Sequence, residues 1–220
     1  YAIAAQLYGE MLEAGYTQVC EFHYLHHQPD GRPYDDPSEM AQSIIRAAED
    51  AGISLTLLPV LYQTGGFDSR ALHDGQKRFG HSTDNYLRLI EMLKKQESHL
   101  LKIGVALHSL RAVPEQTLKS LLPALAGQEL PIHIHIAEQM AEVRECEAAR
   151  GARPVQWLLD NVEVDARWCL VHATHMTGKE TRALAKSKAV VAICPSTEAN
   201  LGDGLFPLAD FLKAKGRISI

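Results

Sequence analysis

The sequence predicts a parallel α/β fold, and within that class a (β/α)₈ TIM barrel. Short apolar segments alternate with amphipathic segments along the whole chain, from a helix that ends near Gly15 to a strand that begins at Arg217. Strict alternation of strand and helix indicates a parallel sheet covered by helices. Polar clusters follow the apolar segments repeatedly, and barrel enzymes carry their chemistry at the carboxyl ends of the strands.

The alternation comprises six strands that are each followed by helix, with a seventh strand at 217–220. The predicted strands are 17–25, 53–62, 101–107, 131–137, 168–174 and 189–195. The predicted helices are 1–14, 38–50, 83–98, 114–125, 141–151, 154–161, 178–187 and 206–216. The polar loop 62–81 is either a lid over a site or a solvated excursion. An open doubly wound sheet would show the same alternation, but no GxGxxG motif follows the first strand, which disfavours its dinucleotide-binding form.

Composition limits the possible functions. With 46% hydrophobic and 22% charged residues, the 220-residue chain has the composition of one ordinary globular domain. A net charge of −5 argues against nucleic acid as a partner and favours a small-molecule site. No apolar run approaches the ~18 residues of a membrane span, and the first residues lack the pattern of a signal peptide. Four scattered cysteines without a CxxC pair favour a reducing cytoplasm.

The 11 histidines concentrate where strands end. The polar clusters are HYLHH (23–27), YQTGG (62–66), HSLR (108–111), HIAEQ (135–139), HATH (172–175) and CPSTEAN (194–200). A single histidine is more often a hydrogen-bonded structural residue than a ligand. The recurrence at several strand ends nevertheless favours a functional site.

The segment PIHIHIAEQ (131–139) contains the strongest pair. Its isoleucines point to one side of the strand, so His133 and His135 point to the other. His135 at the strand end could ligate a divalent metal, and Glu138 just beyond could reach a water on that metal. The structural alternatives are a His135 bond to a nearby carbonyl and a helix-capping role for Glu138. His133 lies ~6.6 Å deeper along the strand and is expected to pack rather than ligate.

Two further residues extend this site. His172 ends the next strand, where a neutral imidazole could orient the water or accept its proton. Arg111 lies three residues beyond His108 and indicates an anionic substrate, since its guanidinium pairs with carboxylates, although a surface ion pair would explain a lone arginine as well. His175 is expected in the loop or at the helix start.

These motifs resemble a known family. VCEFHYLHH, HSLRAV, HIHIAEQ, LVHATH and CPSTEANLGDG are similar to segments of the N-formimino-L-glutamate iminohydrolases, or formimidoylglutamate deiminases, of the amidohydrolase superfamily. The resemblance extends over essentially the whole chain. HxxE with a later histidine is common to many deaminases of the superfamily, whereas HSLRAV and STEANLGDG are closer to a signature of this one enzyme family.

The resemblance implies roles for individual residues. His135 matches a metal ligand, Glu138 the carboxylate that carries protons between water and substrate, and His172 the histidine that helps to activate the water. Tyr24, His108 and Arg111 match positions that hold the glutamate part of the substrate. The implied reaction is hydrolysis of the formimino group, which releases ammonia and leaves N-formyl-L-glutamate. The implied cofactor is one divalent ion, zinc or alternatively iron, and the implied assembly is a homodimer.

Two elements of the family pattern are not among these residues. Family members carry an HxH pair at the end of the first strand and an aspartate at the end of the eighth, and both are metal ligands. By this correspondence, residues 1–220 form the central part of one hydrolase barrel, from the second strand to the start of the eighth. We expect this fragment alone to be inactive, because three of four metal ligands are missing from it.

Two other functions fit the sequence less closely. One is another deaminase of the same superfamily that acts on a purine, pyrimidine or nucleoside-like ring. The other is a non-catalytic barrel fragment in which the histidines are structural.

Overall fold

The computed structural model describes residues 1–220, and the chain divides into two compact units. Unit 1 consists of residues 1–65 and 71–106, and unit 2 of residues 66–70 and 107–220. The helices in both units are too short or too polar to cross a membrane.

Unit 1 is built around parallel strands. Its strands are β1 (Gln18–His23), β2 (Ser54–Leu61) and β3 (Leu101–Ile103), and its helices are α1 (Ala2–Glu13), α2 (Glu39–Ala51), a 3₁₀ helix (Asp74–Phe79) and α3 (Thr83–Lys94). β2 pairs in parallel with both β1 and β3. Every residue of β2 after Ser54 is buried, which is typical of a strand in a helix-covered parallel sheet.

Unit 2 holds the remaining strands. β4 (Val105–Ser109) runs into this unit and neighbours β5 (Ile132–Ile136), which is followed by β6 (Trp168–His172), β7 (Val190–Ala192) and β8 (Arg217–Ser219). β5, β6, β7 and β8 pair in parallel in that order. The helices are α4 (Glu115–Ala124), α5 (Met140–Arg150), α6 (Pro154–Asn161), α7 (Gly178–Ser187), α8 (Pro195–Leu201) and α9 (Leu208–Lys213).

The predicted parallel alternation of strand and helix is confirmed, with corrections at particular elements. The single strand predicted at 101–107 is two strands, β3 and β4, separated at Gly104, whose N–H donates to the carbonyl of Leu57 at 2.9 Å. No helix separates β3 from β4. The helix predicted at 83–98 ends at Lys94, and the one predicted at 206–216 spans only Leu208–Lys213.

Helix α8 was not predicted. It begins at Pro195, where the fixed φ of proline suits the first helical turn, and it ends at Gly202, which has a left-handed φ of 70°. Both signals stand in the sequence seven residues apart, around a segment too short to show helical periodicity. This helix matters for the site because it carries Glu198.

The isoleucine face of β5 is buried in the core of unit 2, as the alternation predicts. Ile132, Ile134 and Ile136 have exposed fractions of 2%, 0% and 0%. Burial of one such side chain stabilises a fold by about 1.5–3 kcal/mol. The opposite face carries His133, which is also buried, and His135, which is partly exposed. The apolar face therefore fixes which way the two imidazoles point.

Replacing Ile134 by alanine is expected to lower the free energy of unfolding by about 2–5 kcal/mol, since it leaves a cavity beneath the site. Ile3→Ala is the matched control, because Ile3 is 86% exposed and its loss should change stability by less than about 0.5 kcal/mol. Urea unfolding of the full-length protein measures both variants. Equal midpoints for the two variants would contradict this description of the core.

Candidate active site

Five of the six predicted site residues lie in unit 2, at or just beyond strand ends. They are His108 at the end of β4, Arg111 beyond it, His135 and Glu138 at the end of β5, and His172 at the end of β6. Tyr24 lies in unit 1, directly after β1, where its ring packs 5.8 Å from that of Phe79. The assignment of Tyr24 to substrate binding remains a prediction.

Parallel pairing sets three imidazoles side by side. The register of β5 with β6 places Ile136 opposite His172, so His135 and His172 emerge at the same edge. Their ring centroids are 5.8 Å apart and the ring planes differ by 27°. His108 lies on the other side of His135, with a centroid distance of 5.4 Å. The histidines predicted to gather at the strand ends are therefore neighbours.

His135 has the hydrogen bonding expected of a metal ligand. Its Nδ1 lies 2.9 Å from the carbonyl oxygen of His108, and a carbonyl can only accept, so Nδ1 carries the proton. The lone pair is then on Nε2. Burial is the main cause that lowers the pKa of His135 to about 4, which keeps the ring neutral at pH 7. A neutral imidazole whose other nitrogen donates to a carbonyl is typical of metal-ligating histidine.

A backbone hydrogen bond holds Glu138 in place, and its side chain does not cap helix α5. Its N–H donates to Oε2 of Glu142 at 3.0 Å, and the N–H of Ala137 donates to Oε1 of the same carboxylate at 2.9 Å. Glu142, in the first turn of α5, therefore takes the capping role considered for Glu138. Ala137 has a left-handed φ of 50°, and this turn sends Glu138 away from the strand. The Glu138 side chain is 28% exposed, with Oε1 3.5 Å from Nε2 of His172.

His172 lies between two carboxylates at a strained point of the backbone. Its Nδ1 is 3.0 Å from Oε1 of Glu198, opposite the side that faces Glu138. His172 and Ala173 have φ values of 70° and 48°, a conformation that costs on the order of 1–3 kcal/mol for each non-glycine residue. Strain of this kind persists where surrounding contacts hold it. Here the N–H of Ala173 donates to the carbonyl of Ile136 at 3.0 Å.

A group of possible metal ligands overlaps with this arrangement. His172, Cys194 and Glu198 each offer one ligand atom, and these atoms lie within 4.8 Å of one another. The N–H of Cys194 also donates to Oε1 of Glu198 at 2.9 Å. Histidine, cysteine and carboxylate are all ligands of zinc. The group thus adds a second possible location for a metal, next to His135.

Arg111 supplies positive charge to the same edge. The pKa of His108 is lowered to about 3, mainly by desolvation and next by the neighbouring His135. The charge of Arg111 is the third cause. The charge of Arg111 also helps to lower the pKa of His135. It lowers the pKa of Glu142 as well, against the larger effect of desolvation, which raises it. Its guanidinium therefore acts on the centre of the site. A fixed cation beside neutral imidazoles is suited to an anionic ligand.

Sequence reasoning missed two buried carboxylates, Glu142 and Glu198. Glu142 could have been found, because an acidic residue at the third position of a helix commonly caps the preceding backbone. Glu198 stood inside a recognised polar cluster, but its contact with His172 depends on the short helix α8. No periodic signal in the sequence joins these two residues.

The fold and the strand-end site define a class of protein. The model of the amidohydrolase family matches residues 1–220, and the chain belongs to this family. It is 54% identical to the formimidoylglutamate deiminase of Pseudomonas aeruginosa over 219 aligned residues. The alignment covers 99% of this chain and 48% of that protein. It is 25% identical to a 5-methylthioadenosine/S-adenosylhomocysteine deaminase of Thermodesulfovibrio yellowstonii, over 85% of this chain and 40% of that protein.

Solved structures give the same class. A crystal structure of an amidohydrolase from Brucella melitensis matches with a TM-score of 0.96 and 51% identity, over 100% of this chain and 49% of that one. An adenosine deaminase from Xanthomonas campestris with bound zinc matches with a TM-score of 0.79 at 22% identity, over 99% of this chain and 45% of that one, which shows the fold alone. The predicted amidohydrolase-type barrel fold and the predicted family resemblance are confirmed. The chain spans about half the length of the relatives it matches.

Replacing Glu142 by alanine is expected to destabilise the turn that carries Glu138. One buried and one partly buried N–H group would lose their acceptor, and loss of a buried acceptor costs about 1–3 kcal/mol. Glu145→Ala on the exposed face of the same helix is the matched control, with an expected change under about 0.5 kcal/mol. Urea unfolding of the full-length protein measures the difference, and indistinguishable variants would contradict the role given to Glu142.

Proposed function

We propose that residues 1–220 form the central part of the barrel of a metal-dependent formimidoylglutamate deiminase. The reaction is the hydrolysis of N-formimino-L-glutamate to N-formyl-L-glutamate and ammonia. The observation that carries the proposal is the 54% identity, over 219 residues, to a formimidoylglutamate deiminase. The proposal concerns the whole protein, since the chain spans about half of that relative.

Metal dependence is supported by the family and by the state of His135. Members of the amidohydrolase family bind a divalent metal, and the neutral His135, with its lone pair on Nε2, is suited to be one ligand. The other ligands would come from outside residues 1–220, as an HxH pair and an aspartate. Zinc is the proposed ion, with iron as the alternative, because imidazole suits both. When bound, the metal lowers the pKa of a water molecule toward 7 and stabilises developing negative charge.

The residues of this chain would move the protons. Water adds to the C=N bond of the formimino group, and Glu138 carries the two water protons in turn to the imino nitrogen. The remaining C–N bond then breaks, the oxygen becomes the formyl carbonyl, and the nitrogen leaves as ammonia. Nε2 of His172, 3.5 Å from Glu138, faces the same space and orients the water or shares its proton.

Recognition of the glutamate part would fall to Tyr24, His108 and Arg111. Arg111 pairs with a carboxylate, and its effect on the pKa values of His108 and His135 indicates that its charge acts where the substrate would lie. His108 is partly exposed, its pKa is lowered to about 3, mainly by desolvation, and its Nδ1 lies 2.9 Å from Oγ of Ser109. These features favour a small anionic substrate.

The other two functions have less support. The ring deaminases represented by the Thermodesulfovibrio enzyme are 25% identical, less than half the identity of the formimidoylglutamate enzyme. A purely structural role for the histidines does not explain why three imidazoles and two carboxylates meet at strand ends where the backbone of His172 is strained.

The proposed setting is a homodimer in the cytoplasm, without nucleic acid or membrane partners. The four free cysteines favour the cytoplasm and the net charge of −5 argues against nucleic acid, whereas the homodimer is proposed from the family resemblance.

Arg111→Ala in the full-length protein is expected to raise KM for N-formimino-L-glutamate by about 100-fold, since loss of a charged hydrogen-bond partner costs ~3 kcal/mol. Arg144→Ala, on the exposed face of α5, is the matched control and should leave KM unchanged. Steady-state ammonia release measures both. A large rise in KM would exclude the ring deaminases, whereas an unchanged KM would sink the assignment of Arg111 to the substrate carboxylate.

His135→Ala is expected to lower the amount of divalent metal that copurifies with the full-length protein, to less than about a tenth of the wild-type level, because one direct ligand is lost. His99→Ala removes an exposed histidine of unit 1 and should leave the metal content unchanged. Elemental analysis after gel filtration measures the metal. Full retention in His135→Ala would show that the metal is held elsewhere.

A further inference from the structure

The environment of His172 contains a buried carboxylate that the proposed chemistry does not use. Glu198 is 5% exposed, and His172 is 5% exposed as well. Acidic side chains are almost never buried unless they are paired, because desolvation of the charge is costly. Nδ1 of His172 lies 3.0 Å from Oε1 of Glu198, and this pairing accounts for part of that cost.

The hydrogen bonds around Glu198 fix the direction of donation. The backbone N–H of Cys194 can only donate, and it does so to Oε1 of Glu198 at 2.9 Å. The same carboxylate oxygen lies 3.0 Å from Nδ1 of His172. Because a carboxylate oxygen only accepts, Nδ1 donates this second hydrogen bond. When the ring carries a single proton, that proton is therefore on Nδ1. Nε2 then carries the lone pair, and it is the nitrogen that faces Glu138 at 3.5 Å.

Helix α8 holds Glu198 firmly in place. The N–H of Glu198 donates to the carbonyl of Cys194 at 2.9 Å, and the carbonyl of Glu198 accepts from the N–H of Asp203 at 2.9 Å. Asp203 in turn accepts from the side chain of Gln139 at 2.9 Å, and Gln139 directly follows Glu138. The same set of bonds thus reaches both carboxylates that flank His172.

We propose that Glu198 is a positioning residue, which holds His172 with its proton on Nδ1 and its Nε2 lone pair directed toward Glu138. This inference rests on the proposed function, in which His172 orients the water or shares its proton. Glu198 itself does not touch the reacting atoms. A carboxylate that orients a functional histidine in this way typically contributes about 10–100-fold to activity.

The alternative role for Glu198 is that of a metal ligand together with His172 and Cys194. Two observations weigh against it. Oε1 of Glu198 is already occupied by two N–H donors. Burial, with the neighbouring Glu198 and Glu138, raises the pKa of Cys194, which opposes formation of the thiolate that a metal requires.

The ring nitrogens of His172 give a direct test. The full-length, metal-loaded protein is labelled with ¹⁵N-histidine, and the His172 signals are identified by their loss in His172→Gln. We expect a protonated Nδ1 in the wild type and in Glu198→Gln, whose amide oxygen still accepts. Glu198→Leu removes the acceptor and should shift the proton to Nε2 in all or part of the population. A proton that stays on Nδ1 in Glu198→Leu would overturn the inference.

Kinetics give the second arm. Glu198→Leu should lower kcat for N-formimino-L-glutamate by about 10–100-fold with KM within about twofold, and Glu198→Gln should recover most of the loss. Glu180→Gln is the control, because Glu180 is an equally buried carboxylate of unit 2 that accepts from Arg153 and has a structural role. Equal kcat values in Glu198→Leu and Glu180→Gln would contradict the inference, as would a metal–sulfur distance of about 2.3 Å by X-ray absorption. If the wild-type protein were inactive on this substrate, the proposed function would be overturned. The nitrogen signals alone would then test the role of Glu198.

Discussion

The parallel pairing of β5 with β6 is the constraint on which the site depends. Its register sets Ile136 opposite His172, so the two strands end at the same edge, where the rings of His135 and His172 lie 5.8 Å apart. The isoleucine face fixes this register, because a slip of one residue would turn the buried side chains of β5 toward the site and both imidazoles into the core. Apolar packing on one face of the strand thus determines the chemistry available on the other.

The ends of the strands turn this geometry into a site with defined proton positions. The imidazoles of His108 and His135 remain neutral, since desolvation lowers their pKa values far below 7. Nδ1 of His135 donates to a backbone carbonyl, and Nδ1 of His172 donates to the carboxylate of Glu198. In both rings Nε2 therefore points away from the group that Nδ1 bonds. Left-handed backbone at Ala137 and His172 releases the chain from the sheet at these points. A neutral His135 with a fixed tautomer is suited to hold a metal, and a His172 anchored through Nδ1 is suited to handle protons.

Periodicity in the sequence was sufficient to predict the parallel fold and the gathering of histidines. The sequence placed His135 and His172 at one edge because parallel strands end at the same edge of a sheet. It did not predict which way the ring of His172 faces, because His172 pairs with Ile136 and has a left-handed φ of 70°. The break between β3 and β4 at Gly104 was not predictable. An apolar run does not reveal the hydrogen-bond partner of each backbone N–H within it. Helix α8 and its Glu198 were missed for a related reason: seven residues are too few for a helical period, and the contact with His172 spans 26 positions of the chain. The family resemblance supplied the roles that geometry alone leaves open, such as His135 as ligand and Glu138 as proton carrier.

The most direct test of this account is a crystal structure of the full-length protein with its metal and N-formyl-L-glutamate. The account predicts a metal about 2.0–2.1 Å from Nε2 of His135, with the formyl group between that metal and Glu138. It also predicts a product carboxylate paired with Arg111. A metal bound by His172, Cys194 and Glu198, or a product whose carboxylates lie away from Arg111, would contradict the account.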